Sequence, residues 1–235
     1  MYLFADGPRE YDFLLKVLSL GRDSYWRRSI IEKADVGPEK LALDIACGTG
    51  LVSFQLAASG ASVVGVDVTR EMLVRAAELA KNYRVRDSKY PRKEQRTLDV
   101  DFIQARAEDL PLRENAFDCA TISLAMRNVS SAPRTVSEMR RCTRGGGVVM
   151  SMDFTRPSGR IFRHFYSFYI FRVMPALGLV ISRHWNGIFV YLANSIKRSR
   201  TPEQISSIME TVGLKQISVK RMTHGVTALV AGTKE

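Results

Sequence analysis

Along this chain, short apolar runs alternate with longer stretches in which apolar residues return every three or four positions. Phe13, Leu14, Val17 and Leu18, and then Trp26 and Ile30, carry the helical spacing on either side of a break around Ser19 to Gly21. They predict two N-terminal helices that end before Gly37-Pro38. Leu41 to Ala46 predicts a strand, and Val52, Phe54, Gln55, Leu56 and Ala57 predict a helix that stops at Gly60, placed as its C′ residue. Ser62 to Asp67 predicts a second strand. Thr69 is then expected to cap a helix with Met72, Leu73, Ala76, Ala77 and Ala80 inward. Two further strands are predicted near Val100 to Gln104 and Phe117 to Ser123, the latter an apolar run of the buried parallel kind.

A helix over Ala132 to Cys142 is expected to end at a Gly145-Gly146-Gly147 turn, before a fifth strand from Val148 to Phe154. Thr201-Pro202-Glu203-Gln204 reads as an N-cap, a proline at N1 and a capping-box Gln. Strands near Leu214 to Met222 and Gly225 to Gly232 complete the sheet. Regular βα alternation in 235 residues predicts one α/β domain, a doubly wound, Rossmann-like sheet with helices on both faces and ligands at the strand C-terminal edge. Its parts are N-terminal helices over 1–38, a core over 39–156, a helical cap over 157–198, and a last helix and strands over 199–235.

The cap departs from the rest. Ile161 to Leu192 holds nine aromatic side chains, yet Arg163, Arg172, Arg183 and Pro175 interrupt it, so it is too short of uncharged residues to span a bilayer. It is either a set of helices that simply packs on the sheet or one that also walls an apolar substrate pocket beside the ligand edge.

The chemistry concentrates where the first strand ends. Asp44-Ile45-Ala46-Cys47-Gly48-Thr49-Gly50 breaks the strand at a glycine-rich turn, and the second strand ends on an acid, Asp67. A dinucleotide fingerprint would have a third glycine where Ser53 stands, and the carboxylate of Asp44 would repel a pyrophosphate. The same carboxylate would attract an ammonium, and Asp67 can accept from two ribose hydroxyls. The ligand that fits is S-adenosylmethionine, which has a ribose and positive charge but no phosphate. Cys47 lies in this turn without a neighbouring base, and reads as a packing residue rather than a nucleophile.

Charge widens the picture. Thirty-five Lys and Arg against 24 Asp and Glu give +11, which favours anionic partners, lipid headgroups or nucleic acid. The densest basic segment is Lys81, Arg84, Arg86, Lys89, Arg92, Lys93 and Arg96, against Asp87 and Glu94. It is a solvated loop or a contact for an anionic membrane surface. Three scattered cysteines and three scattered histidines support neither a disulfide framework nor a metal site. The mixed start Met1 to Pro8 carries no signal-peptide pattern, so a cytoplasmic enzyme is expected, peripheral on the inner face of the membrane if it meets lipid.

Motifs along nearly the whole chain resemble the ubiquinone/menaquinone biosynthesis C-methyltransferases, within the class I S-adenosylmethionine-dependent methyltransferases. They are Tyr11-Asp12, Ser19-Leu20-Gly21, Trp26-Arg27-Arg28, Leu43 to Gly50, Ala107-Glu108-Asp109-Leu110-Pro111, Phe117-Asp118, Thr121-Ile122-Ser123, Arg127-Asn128-Val129, Phe154-Thr155-Arg156-Pro157, Tyr191-Leu192, Ser195-Ile196 and Gly225-Val226. The resemblance implies methyl transfer to a ring carbon of a prenylated benzoquinol or naphthoquinol. It implies a cofactor site of Asp44, Gly48, Thr49, Gly50, Asp67, Val68, Arg106, Ala107 and Ser123, with Arg106 standing where the family has Asn. It implies substrate activation by Arg127, Asn128 and Tyr11, with Arg127 stabilising a phenolate, and it leaves a homodimer open. Phe189-Val190 stands where the family has Tyr-Arg, which bears on the identity of the quinone. The rival readings are a methyltransferase for another small molecule or RNA, and a non-catalytic scaffold. Aromatics gathered in an apolar cap, rather than alternating with basic residues, argue against nucleic acid.

Overall fold

The computed structural model describes residues 16–19, 21–83, 98–157, 159–181 and 183–235. Tyr11 and the basic segment from Arg84 to Arg96 lie outside them.

Seven strands form one sheet: β1 (Leu41–Ile45), β2 (Ser62–Asp67), β3 (Val100–Gln104), β4 (Phe117–Ser123), β5 (Thr143–Phe154), β6 (Lys215–Met222) and β7 (Thr227–Thr233). Their order is β3-β2-β1-β4-β5-β7-β6, with β7 antiparallel to both neighbours. The chain winds outward from β1 to β3, then returns to start again at β4. The C-terminal ends of β1 and β4 therefore flank the crevice where such sheets take their ligands. Helices α1 (Asp23–Ala34), α2 (Leu51–Ala58), α3 (Arg70–Asn82), α4 (Ala132–Cys142) and α8 (Pro202–Thr211) surround the sheet. Because side chains alternate along a strand, Ala42 joins one core cluster with Trp26, Ile30 and Leu56. Leu43 and Ile45 join the other with Val136, Met139 and Met209.

The cap is three helical stretches, α5 (Arg160–Phe168), α6 (Met174–Ile181) and α7 (Arg183–Lys197), with a π-helical turn at Tyr169–Val173 between the first two. Tyr166, Ile170 and Met174 recur every fourth residue and enter the same core cluster as Trp26 and Phe154. A Cβ on Gly178 would stand 2.7 Å from Cα of Asn186, so glycine is what lets α6 and α7 approach so closely. The Tyr169 hydroxyl donates to the Val17 carbonyl at 2.9 Å and ties the cap to the N-terminal segment.

Three local expectations are corrected. The glycine run is not a turn ahead of β5 but part of it. Phe117 pairs with Thr143 and Cys119 with Val148, so the extra residues bulge, and a Cβ on Gly147 would lie 2.7 Å from the Asp118 carbonyl oxygen. Thr69 occupies the N-cap of α3, yet its side chain caps nothing; its N–H donates to Oδ1 of Asp67 at 2.8 Å. Ala77 is exposed, because the inward stripe of α3 runs through Met72, Leu73 and Ala76. The capping box at Thr201 and Gln204 is present as expected, and Gly60, at a φ of 103°, follows the C-cap of α2.

Candidate active site

β1 carries Asp44 into the interior with 1% exposure, on the face covered by α2. There Ser53, the residue in place of a third glycine, donates its hydroxyl to Oδ2 of Asp44 at 2.6 Å. Burial, only partly offset by the Ser53 hydrogen bonds, raises the Asp44 carboxyl from 3.8 to about 7. The chain then turns sharply: Ala46 has a φ of 52°, Gly48 of 56° and Gly50 of 86°. A Cβ on Gly50 would strike the Phe54 ring at 2.7 Å, whereas one on Gly48 would meet nothing within 4 Å, so Gly48 faces open space. Asp67 holds this loop against β2, its Oδ2 accepting from the Gly48 N–H at 2.9 Å. Burial raises the Asp67 carboxyl too, against the pull of the Thr69 and Gly48 amides. Half-buried beside these acids, the Cys47 thiol is pushed well above its usual value by desolvation and by their charge, and stays protonated.

These elements line an open cleft of about 480 Å³ that brings together Asp44, Cys47, Gly48, Thr49, Ser123, Leu124 and Met152. Leu124, just after β4, has a φ of 54°, as Ala46 just after β1 has one of 52°; two non-glycine residues in left-handed conformation directly after adjacent strands mark the crevice as strained. Val68, 52% exposed, and half-buried Ala107 stand further along this edge. Arg106 is turned away, its Nη2 donating to the Ser130 hydroxyl at 3.0 Å and its Nε 3.7 Å from Glu108. The Ala107-to-Pro111 motif proves to be a brace. Glu108 accepts from the Ser130 N–H at 2.6 Å, and Arg141 donates to the Leu110 and Leu112 carbonyls.

One residue in the cleft had no role from sequence. Arg27, on α1, pairs through Nη2 with Asp23 at 2.7 Å, while its Nε and Nη1 are buried without a partner. Buried, unpaired guanidinium donors are costly, and a carboxylate is their natural partner. A cation-seeking buried Asp44, a carboxylate-seeking Arg27 and Asp67 at the end of β2 match the ammonium, carboxylate and ribose of S-adenosylmethionine.

Arg127 is not open to the cleft. Its side chain is 3% exposed, with Nη1 2.6 Å from Oδ1 of Asp153, Nε 3.1 Å from the Ser195 hydroxyl on α7, and its guanidinium over the Phe154 ring. Nη1 also donates to the Leu124 carbonyl. Asn128 closes the same turn, its N–H donating to the Ala125 carbonyl at 2.8 Å. Beside Arg127, the hydroxyl of Tyr166 is buried without a partner.

Fold and site together define a class I S-adenosylmethionine-dependent methyltransferase. A solved structure from Thermotoga maritima, described as a possible histamine N-methyltransferase, shares the fold with a TM-score of 0.65 at 18% identity over the full length of both chains. The chain belongs to the ubiE/COQ5 methyltransferase family, whose model matches residues 2–234. It is 33% identical to a ubiquinone/menaquinone biosynthesis C-methyltransferase of a Geobacter species, across 99% of this chain and 94% of the relative. It is 32% identical to a demethylmenaquinone methyltransferase of Mycolicibacterium vanbaalenii, across 99% and 93%.

Proposed function

We propose that this enzyme methylates a ring carbon of a prenylated quinol in respiratory quinone biosynthesis. The observation that carries the reading is a family match along the whole chain, joined to a cofactor cleft whose neighbouring turn, Ala125 to Asn128, is roofed by an apolar cap.

S-adenosylmethionine, when bound, supplies a methyl group on a positively charged sulfur. Asp44 would hold its ammonium, Arg27 its carboxylate and Asp67 its ribose hydroxyls, with Gly48, Thr49 and Gly50 shaping the loop beside them. Val68 and Ala107 would hold the adenine and Ser123 would face the acceptor, while Arg106 acts through its hold on Ser130. Carbon methylation needs an electron-rich ring, so the acceptor gives a phenolic proton to water while its carbon is held in line with the methyl; the hydrogen on that carbon then returns through water to the oxygen, which restores the quinol and leaves one proton released in all. Asn128 and the unpartnered Tyr166 hydroxyl orient the acceptor oxygen, and Tyr11 keeps the role its motif implies. Arg127 acts as a positioning residue, since Asp153 already balances its charge.

A quinol bearing a polyprenyl tail is insoluble in water, so the enzyme works at an anionic membrane surface. Among the described residues no helix is long and apolar enough to cross one. Deleting the gene tests the reading. The quinone pool should become lighter by one methylene per molecule, and an unchanged pool in a strain with no second copy of the activity would contradict it.

A further inference from the structure

Helix α5 is amphipathic in an unusual sense, with one apolar face buried and another facing outward. Ile161, Phe165 and Phe168, at i, i+4 and i+7, are 76%, 68% and 59% exposed, and Val180 on α6 is 85% exposed. Large apolar side chains massed on one surface mark an interaction site. The charge around them is one-sided. From Phe154 to Pro202 there is not one Asp or Glu, against eight Lys or Arg, and Arg160, Arg163 and Arg172 are exposed among the apolar residues.

We propose that this outer face of α5 and α6 is the surface by which the enzyme lies on an anionic lipid bilayer. Apolar side chains flanked by arginines, with no acid among them, match the boundary between acyl chains and negatively charged headgroups. The position also fits. α5 follows the C-terminal end of β5, and its inner face carries Tyr166 within electrostatic reach of Arg127. One helix thus presents one side to the bilayer and the other to the acceptor site. This assignment of a surface rests on the prenylated-quinol reading for its purpose, though not for its physical basis.

Flotation of the purified full-length chain with phosphatidylglycerol–phosphatidylcholine vesicles, and with phosphatidylcholine alone, tests it. The wild type should bind the mixed vesicles and not the neutral ones. Replacing Ile161, Phe165 and Phe168 together with Ser should lower partitioning about tenfold or more. Replacing Arg160, Arg163 and Arg172 with Gln should lower it on the order of a hundredfold at low salt. All six side chains are exposed or at the surface, so affinity for S-adenosylhomocysteine should hold in both variants and confirms that they fold. Unchanged partitioning in both variants overturns the proposal. So does sedimentation showing that the Ser variant turns a dimer into a monomer while vesicle binding persists, because the face is then a contact between copies. A wild type that binds vesicles through this face yet methylates no quinol would sink the function proposed above and leave the docking surface standing.

Discussion

At the residue scale, the proposed cofactor site turns on two ionisable side chains, Asp44 with its buried carboxyl and Arg27 with its buried Nε and Nη1. Because Asp44 is raised to about 7 by burial, an ammonium that demands the ionised carboxylate must first displace its proton. Affinity for S-adenosylhomocysteine should therefore rise about tenfold from about pH 6 to about pH 7.5, and calorimetry on Asp44→Asn should show weaker binding without that slope. The sign for folding is the reverse. A carboxyl whose folded value exceeds its unfolded 3.8 favours the unliganded fold most below that value, and the contribution is lost as pH rises towards about 7. Arg27→Met keeps the packing of the stem but removes the charge, and should weaken S-adenosylhomocysteine by roughly 1.5–3 kcal/mol. Binding of 5′-methylthioadenosine, which has no carboxylate, should not change. An equal loss for both ligands would mean that Arg27 only props α1 against the cleft.

At the scale of elements, the parts legible in sequence were those set by local rules. The strand-turn-helix from Leu41 to Ala58 and the capping box at Thr201 depend on neighbours a few residues away, and both form where expected. The hold of Asp67 on the glycine loop is an addition from the structure: two parallel neighbours place their last residues side by side, and Asp67 accepts from the Gly48 N–H. What was not legible depends on partners far along the chain. Nothing near Arg27 in sequence says that it reaches the end of β1, and nothing near Arg127 says that Asp153 and Ser195 enclose it. The glycine run at 145–147 misled because three glycines signal a turn, whereas here they let β5 bulge against β4. The Arg127–Asp153 pair joins the β4 turn, the end of β5 and the cap, so breaking it has a structural signature. Arg127→Met should destabilise the fold by about 3 kcal/mol, since it strands a buried carboxylate, and adding Asp153→Asn should recover part of that. Chemical denaturation of the two single variants and the double measures the coupling. Strict additivity would show that the pair does not act as a unit.

At the scale of the whole molecule, the fold sets two surfaces at one end of the sheet. The cofactor cleft opens where β1 and β4 diverge, and the cap beyond β5 offers apolar area inward to the core and outward beside arginines. On the docking surface proposed above, the net charge of +11 favours an anionic membrane as partner. Carbon methylation of a quinol can be read in a single assay. Purified enzyme is given S-adenosylmethionine with a labelled methyl group and a prenylated demethylquinol kept reduced in anionic vesicles, with RNA in a parallel reaction. The label should appear on a ring carbon of the quinol, located by fragmentation in mass spectrometry, and not in the RNA. Label on a ring oxygen, in the RNA, or in neither product while the cofactor binds normally, would contradict it.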